Sequence, residues 1–410
     1  MFGNKAKPDT RSQQKRAVSA ALLQRLVGPD PQSIGALAAI ARLVDYPPGA
    51  IAVADHDEVA YLAAGALRFV TQSGAAVTLT SEQAAARYPL PCGHRIARIE
   101  AAKGSRLIWL PRTAMAQRQP TTPEPPKLTG SEESALTELR GYFDSPHYEL
   151  PSLPDLAIKI GDAIDKNTTT SDDIARLIQL DPVLSTRMLS VVNSAAFGGV
   201  NRITSIQQAT TRLGRSKVRS LVFSCLLKSI FRVSGGDLQR RMEAVWQHSV
   251  KVAALSYVLG KVTPGIDAEQ AMLAGLVHDI GGVAVIGAIS RFPQLAVREQ
   301  VFEHVVASLR TTAATRAITH WGLEQELGAV VRDAHFWQRT GTALADDTDI
   351  VIVARLHAAF GTPQAHALPR LDALPAFSKL ANGDMTPRQS LAVLDRAAAD
   401  VREVQALIAQ

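Results

Sequence analysis

Apolar positions along the chain change their spacing twice, and the changes divide it. Residues 18–44 repeat at helical intervals through Leu22, Leu23, Leu26, Ile34, Leu37, Ile40 and Leu43. From Tyr46 to Arg112 the period becomes two, visible at Ile51/Val53, Leu67/Phe69, Val77/Leu79 and Leu107/Trp109. Turn signals at Pro47-Pro48-Gly49, Asp55-His56-Asp57, Ser73-Gly74, Pro91-Cys92-Gly93 and Lys103-Gly104-Ser105 break these runs. Their spacing of about 8–20 residues predicts a small antiparallel β-barrel or jelly roll with flanking helices. Within it, Ser81–Pro91 is Ala-rich and reads as a short helix. Gln117–Lys127 holds Pro120, Pro123, Pro125 and Pro126 and no apolar periodicity, which predicts a linker, extended at about 3.1 Å per residue.

After Thr129 the pattern is helical almost to the end, which predicts an all-α bundle. Pro151 and Pro154 bracket a helix start, and Leu156, Ile160 and Ile164 follow at fours. Ser171 is a candidate cap for a helix whose first turn holds Asp172 and Asp173, favourable at the positive end of the helix dipole. Asp181 reads as an N-cap with Pro182 at the first helical position and Leu184, Met188, Val191 and Val192 buried. Asn193-Ser194 with Gly198-Gly199 closes that helix. Ser205 caps the next, with Ile206, Ala209 and Leu213 inside and Gly214 as its stop. A strongly apolar helix opens near Asp267 and buries Met272, Leu273, Leu276 and Ile280; Gly281 and Gly282 are expected to end it. Thr386 and Pro387 open a last helix, with Leu391, Leu394, Val401, Val404 and Ile408 recurring to Ala409, suited to packing on the bundle or to dimerisation. The expected layout is a basic tail over 1–17, a β domain over 18–116, a linker over 117–129, a helical domain over 130–380 and a C-terminal helix over 381–410.

Composition narrows the class. At about 100–200 residues per domain, 410 residues of which 46% are hydrophobic support two or three domains with true cores. Lys and Arg exceed Asp and Glu by 44 to 38, a mild net +6, and part of the excess sits in the polar stretch Met1–Arg16. Cys92 and Cys225 stand far apart with no metal-ligand spacing, which points to a reducing compartment and excludes a zinc finger. No unbroken apolar run reaches the ~18 residues of a membrane span, and no signal peptide opens the chain. The expected location is cytoplasmic.

Candidate chemistry centres on Gly275-Leu276-Val277-His278-Asp279-Ile280-Gly281-Gly282. An adjacent His-Asp pair at a buried helix end must be satisfied by a metal, another charged group or water. Thirty residues earlier, Val245-Trp246-Gln247-His248-Ser249 places another His on an amphipathic helix. Leu150-Pro151-Ser152-Leu153-Pro154, Asp181-Pro182 through Asn193-Ser194, Ser205-Ile206 through Leu213-Gly214 and Gly275–Gly281, in this order over about Tyr142–Trp337, resemble the HDOD domain. That family is a relative of the HD and HD-GYP phosphohydrolases, usually without their catalytic residues. The resemblance implies His248, His278 and Asp279 as the remnant of a divalent-metal site, with a further Asp required from a later helix. That helix falls at Thr348–Phe360, and its best-placed residue is Arg355, whose guanidinium cannot ligate and repels a cation. An additional HD-GYP histidine corresponds, counting back from Trp321, to Arg310; His304, His320 and His335 do not fall there, and Gly-Tyr-Pro is absent. On this count His278 and Asp279 pair with each other or with Arg355 as a buried polar remnant.

The β region is similar to cyclic-nucleotide-binding domains in Tyr46-Pro47-Pro48-Gly49-Ala50-Ile51, Tyr61–Leu67 and Leu107–Arg112. The resemblance implies Arg95, in Arg95-Ile96-Ala97, as a cyclic-nucleotide phosphate contact, yet the family's Gly-Glu is missing. Ser205–Lys228 has helix-turn-helix spacing with Arg212, Arg215, Lys217 and Arg219, but Val218, Leu221, Val222, Cys225 and Leu226 make its second helix apolar, unlike a recognition helix. The expected function is non-enzymatic signal transduction through contacts with signalling proteins, without a cofactor, without membrane or nucleic acid, and with homodimerisation open. The alternatives are a metal-dependent phosphohydrolase of cyclic (di)nucleotides and, third, a DNA-binding regulator.

Overall fold

The computed structural model describes residues 37–51, 58–71, 76–83, 88–91, 96–102, 104–111, 125–145, 154–194, 202–359, 368–383 and 387–409, apart from single positions, together with a few isolated N-terminal ones. The basic stretch Met1–Arg16, Val53, Cys92, Arg95 and most of the Pro-rich segment lie outside the described residues.

Seven strands run β1 (Arg42–Tyr46), β2 (Gly49–Ile51), β3 (Glu58–Ala64), β4 (Ala66–Thr71), β5 (Ala76–Thr80), β6 (Ile96–Ala101) and β7 (Ser105–Pro111) among the described residues. They divide between two small antiparallel sheets, ordered β1-β7-β3 and β2-β6-β4-β5. Strand β1 starts at Arg42, so Leu43 belongs to a sheet and not to the preceding helical repeat. The first sheet is buried on both faces. Ala60, Leu62, Leu107 and Trp109 meet Leu67, Phe69, Leu79 and Ile99 of the second sheet, while Tyr61, Ala63, Ile108 and Leu110 are covered by Val18, Leu23 and Leu37. This explains why β3 and β7 read as nearly continuous apolar runs and β4 and β5 as alternating ones. The chain crosses from one sheet to the other at Gly65, with φ +92°; a Cβ there would lie 2.6 Å from the Gly104 carbonyl oxygen, so only glycine fits the corner. The middle of Ser81–Pro91, where a short helix is expected, lies largely outside the described residues; Ala86 is 3-10 in conformation, Ala86 and Leu90 point into the sheet core, and the Leu90 amide donates to the Ala60 carbonyl.

The helical part begins with α1 (Gly130–Asp144), α2 (Asp155–Asp165), α3 (Ser171–Gln179) and α4 (Pro182–Val192). Thr170, not Ser171, caps α3, in a reciprocal box with Asp173; a cap needs extended backbone one residue before the first helical turn. Asp181 caps α4 as its sequence indicates, and Asn193 closes it through hydrogen bonds to Leu189 and Ile203. Next come α5 (Ile206–Leu213), capped by Ser205 and stopped by Gly214 at φ +77°, and α6 (Arg215–Leu226). The long α7 (Gly236–Val262) lies against α8 (Ala268–Val277), followed by α9 (Ile280–Ile289), α10 (Glu299–His320), α11 (Glu324–Asp333) and α12 (Asp347–Ala359).

One expectation fails at the centre. Gly281 and Gly282 do not end the apolar helix; the break falls earlier, at His278–Asp279, and both glycines lie buried inside α9. Their work is close approach: a Cβ on Gly281 would sit 2.0 Å from the Arg310 carbonyl oxygen of α10. Ala268–Ile289 is a 22-residue stretch whose most apolar window has mean hydropathy 1.8, long and apolar enough by composition to cross a membrane, although Glu269, Gln270, His278 and Asp279 leave it no unbroken apolar run. Here 94% of its most apolar window is buried inside the bundle, as its core. The C-terminal repeat is not one helix but α13 (Pro387–Arg396) and α14 (Ala398–Ala409), with Val404 and Ile408 in the same core as α7.

The sheets and the bundle interlock. Ala343 and Leu344, between α11 and α12, pack into the sheet core, and the Ala343 amide donates to the Pro89 carbonyl. A buried charge network anchors this strap: Arg339 reaches Asp333, Asp346 and Asp349 at 3.3, 2.7 and 3.0 Å. Lys379 reaches Asp349 at 2.8 Å and lies 5.1 Å from the Tyr88 ring centre. Two outcomes follow. Gly281→Ala should destabilise by about 1–3 kcal/mol through overpacking, whereas Gly287→Ala in the same helix, whose Cβ would meet nothing within 4 Å, should stabilise by up to about 1 kcal/mol. Lys379→Met, which strips Asp349 of one of its two cations, should cost about 3–5 kcal/mol; denaturant midpoints measure all three.

Candidate functional site

The His-Asp pair forms the joint between two helices. His278 is the C-cap of α8 and Asp279 the N-cap of α9, its carboxylate accepting from the Gly282 amide at 3.2 Å. A Cβ on Gly282 would stand 2.5 Å from that carboxylate, so a side chain there would force the carboxylate to shift. Gly275 does the same service between α7 and α8, where a Cβ would lie 2.8 Å from Ala253 Cα. The resulting close crossing brings the His248 and His278 rings to 5.5 Å between centres.

Three further side chains complete the cluster. Arg310, from α10, donates through Nε to Asp279 Oδ1 at 2.7 Å. Its Nη1 lies 3.3 Å from Nδ1 of His335, just past α11, whose ring stacks on His278 at 5.7 Å between centres. Arg355, from α12, donates to the Ala334 carbonyl and lies 4.8 Å from the centre of the Trp337 ring. Of the two pairings expected for Asp279, neither is the observed one. His278 turns to the Gly275 carbonyl at 2.8 Å, and Arg310 takes the carboxylate.

These contacts assign the tautomers. A carbonyl only accepts, so His278 carries its proton on Nδ1 and leaves Nε2 as a bare lone pair. A guanidinium only donates, so His335 accepts at Nδ1 and carries its proton on Nε2, 3.6 Å from Asp279 Oδ1. Burial, then the nearby Arg355 charge, holds His278 and His335 well below the ordinary imidazole range. The same two causes bring His248 down to about 4. All three are neutral, so His335 makes a polar contact with Asp279 and not an ion pair. Burial also lowers Arg355, to about 10, which leaves it charged at neutral pH.

A divalent ion needs deprotonated ligands turned toward one point. Here the one carboxylate of the joint is spent on Arg310, and a second guanidinium stands among the imidazoles. Among the described residues no group of three or more His, Cys, Asp or Glu is arranged to hold a metal ion. The donor set does not fit one. His335 was set aside in the sequence because its spacing is wrong; only the fold carries it to the site. The other candidate cations are occupied. Arg215 gathers the carbonyls of Ala163, Ile164, Lys166 and Thr169 at the end of α2, Lys217 pairs with Glu269 at 2.9 Å, and Arg219 with Glu326 at 3.3 Å.

A pH dependence follows. His248, His278, His335 and also His357, brought to about 4 by burial, are depressed in the fold, so the unfolded chain takes up protons first as pH falls through about 6.5. Stability from each is full above that value and is lost below it, by up to about 1.4 kcal/mol per pH unit. Asp349, raised to about 6 by burial and the Asp346 charge, acts in the opposite sense between about pH 4 and 6, and so do Glu269 and Glu303, also raised by burial: three carboxylates against four imidazoles. Denaturant midpoints should therefore fall between pH 7 and 5, and fall less in His335→Phe.

Comparison with known proteins matches the geometry to a family. Residues 150–336 match the model of the HDOD domain. An uncharacterized protein of Treponema pallidum is 28% identical over 155 residues, 37% of this chain and 28% of that protein's length. A Shewanella amazonensis structure, provisionally named a metal-dependent phosphohydrolase, superposes with a TM-score of 0.56 at 21% identity, covering 68% of this chain and all of its own. An HDOD domain protein of unknown function from Geobacter sulfurreducens gives 0.49 at 20%, covering 67% and 97%. At 21% identity the likeness to the Shewanella structure is one of fold. Residues 150–336, from the segment before α2 to the residue after His335, are an HDOD domain set within the helical part of the chain.

Proposed function

We propose that this chain is a non-enzymatic regulatory protein whose HDOD domain acts through contacts with signalling proteins, the two-sheet domain serving as an input module of cyclic-nucleotide-binding type. One observation carries the reading: Asp279 is paired with Arg310 while Arg355 stands beside the three imidazoles. Hydrolysis at an HD-type centre needs a cation to polarise water, and this centre supplies fixed positive charge of its own where that cation would be held. An occupied carboxylate and two guanidiniums at the place of the cation support the non-enzymatic reading. What remains is a rigid polar centre inside a helical domain strapped to a sheet domain, suited to reporting the state of one domain through the other.

The test joins composition, turnover and stability. Purified protein should carry no stoichiometric Mn, Fe, Zn or Mg and should not hydrolyse cyclic di-GMP or a generic phosphodiester, even with added Mn. Asp279→Ala, which strands Arg310, should cost about 3–5 kcal/mol of stability and remove no activity. About one metal ion per chain, with turnover lost in Asp279→Ala and His278→Ala at unchanged stability, would return the protein to the phosphohydrolases. Capture of a specific protein from host lysate by the full chain, lost when the strap residues Ala343 and Leu344 are replaced by Gly-Ser, is the expected positive result.

A further inference from the structure

The last two helices are held differently from the rest of the bundle. In α9, nine of ten residues are buried. In α14, which lies against α7 and α4, the core takes Val404 and Ile408, with Val401 half-buried beside them. Helix α13 brings a polar residue to its contact: Ser390, fully buried, meets Nε2 of His357 on α12 at 3.0 Å, while Leu391 is left 43% exposed. Asp400 of α14 pairs with Lys261 at the end of α7 at 3.8 Å, through side chains that are 38% and 44% exposed. Polar contacts of this kind regain water on opening, so the apolar seat is what keeps α14 down. That seat is not filled. Between Val404 and Ile408 on one side and Val191, Leu221, Cys225 and Met272 on the other lies an apolar void of about 10 Å³, about the room one water needs. The walls of the groove belong to the HDOD match, whereas both helices lie beyond it. At 12 residues, α14 is marginal as a helix by itself, so it folds on the groove and unfolds off it.

We infer that the groove of α4, α6, α7 and α8 beneath α14 is a docking site for an amphipathic helix of a signalling partner, and that α14 is its resident competitor. The resident shows what the site selects. Val401, Val404 and Ile408 recur at helical spacing on one face, and Asp400 beside them meets Lys261, which lies over the Tyr257 ring at 5.4 Å. A partner helix of this class carries an acidic residue in its first turn and apolar anchors three and four residues apart. A second copy of this chain would bring the same Val404 and leave the same void, so exchange of α14 between copies gains nothing. A helix with a larger apolar residue at that place fills the void and gains up to about fourfold for one added methylene. Tethering gives α14 a roughly millimolar effective concentration, which keeps the groove shut until a better-fitting helix is present. This rests on the reading of the protein as a regulator acting through protein contacts, and it names the surface and the kind of partner.

The experiment uses the full-length chain and a fluorescent peptide of residues 387–409 in two forms, unaltered and with Val404→Ile, followed by anisotropy. The Val404→Ile peptide should bind saturably and at least twofold more tightly than the unaltered one. The same Val404→Ile change in the chain strengthens the resident helix and should weaken binding of either peptide at least twofold. Asp400→Lys in the chain, which sets like charges against Lys261, should strengthen binding. Hydrogen exchange of the unaltered protein, which needs no variant to fold, should run faster over 398–409 than over α7, and faster still with peptide bound. No saturable binding, equal binding of the two peptides, or exchange over 398–409 that peptide leaves unchanged would overturn the proposal. So would dimerisation of the Asp400→Lys chain in light scattering, which would give the groove to a second copy. Metal content and turnover are measured separately: a failure here leaves the non-enzymatic reading standing, and a metal-loaded, active protein that still bound peptide would fail that reading alone.

Discussion

The most apolar stretch of the chain must turn in the middle of the core, and it turns on a histidine and an aspartate. Everything near the centre answers the cost of that choice. A carboxylate removed from water needs partners of high quality, and Asp279 obtains them from the Gly282 amide and the Arg310 guanidinium. Each partner imposes a condition. The carboxylate keeps its place because residue 282 has no Cβ to crowd it, and Arg310 is near enough because Gly281 lets α9 and α10 touch. Arg310 in turn sets the tautomer of His335, and the Gly275 carbonyl sets that of His278. The helix break, its two glycines and the His335 proton are thus tied to a single ion pair.

Much of the architecture was legible in the sequence, because caps and periodicity are local. Asp181-Pro182, Ser205 and Gly214 act where they stand, and the alternating strands bury the residues they promise. The errors have physical causes of one kind. Gly281-Gly282 looks like a helix stop because glycine ends helices, yet close helix contact demands it equally, and only the neighbour distinguishes the two. The stretch 268–289 reads correctly as an interrupted apolar run, and the core buries its Glu269, His278 and Asp279 as well. The continuous apolar runs of β3 and β7 hid a second buried face that distant N-terminal residues cover.

The polar centre was half legible. Counting along motifs placed Arg310 and Arg355 at positions where related proteins use ligands, and both stand at the centre. The count did not give the pairing of Arg310 with Asp279, because a motif records position and not direction. His335 could not be counted at all, since the loop that carries it is positioned by α11 and α12 together. The match to the HDOD family ends at residue 336, before Arg355. The cation that most affects the three imidazoles therefore comes from a helix outside the matched segment.

That helix ties the two ends of the molecule. Asp349 and Arg355 lie on α12 six residues apart, a rise of about 9 Å. Asp349 is gripped by Arg339 and Lys379 at the contact with the sheet domain, and Arg355 is fixed by Ala334 and Trp337 at the polar centre. Lys379 meets Tyr88, and the strap before α12 places Ala343 and Leu344 in the sheet core. A helix with its residues buried along this length moves as a body or not at all. The strap that enters the sheet core thus leads directly into the helix that carries Arg355. The charge that governs the imidazole cluster is in this way mounted on the same rigid element that holds the two domains together.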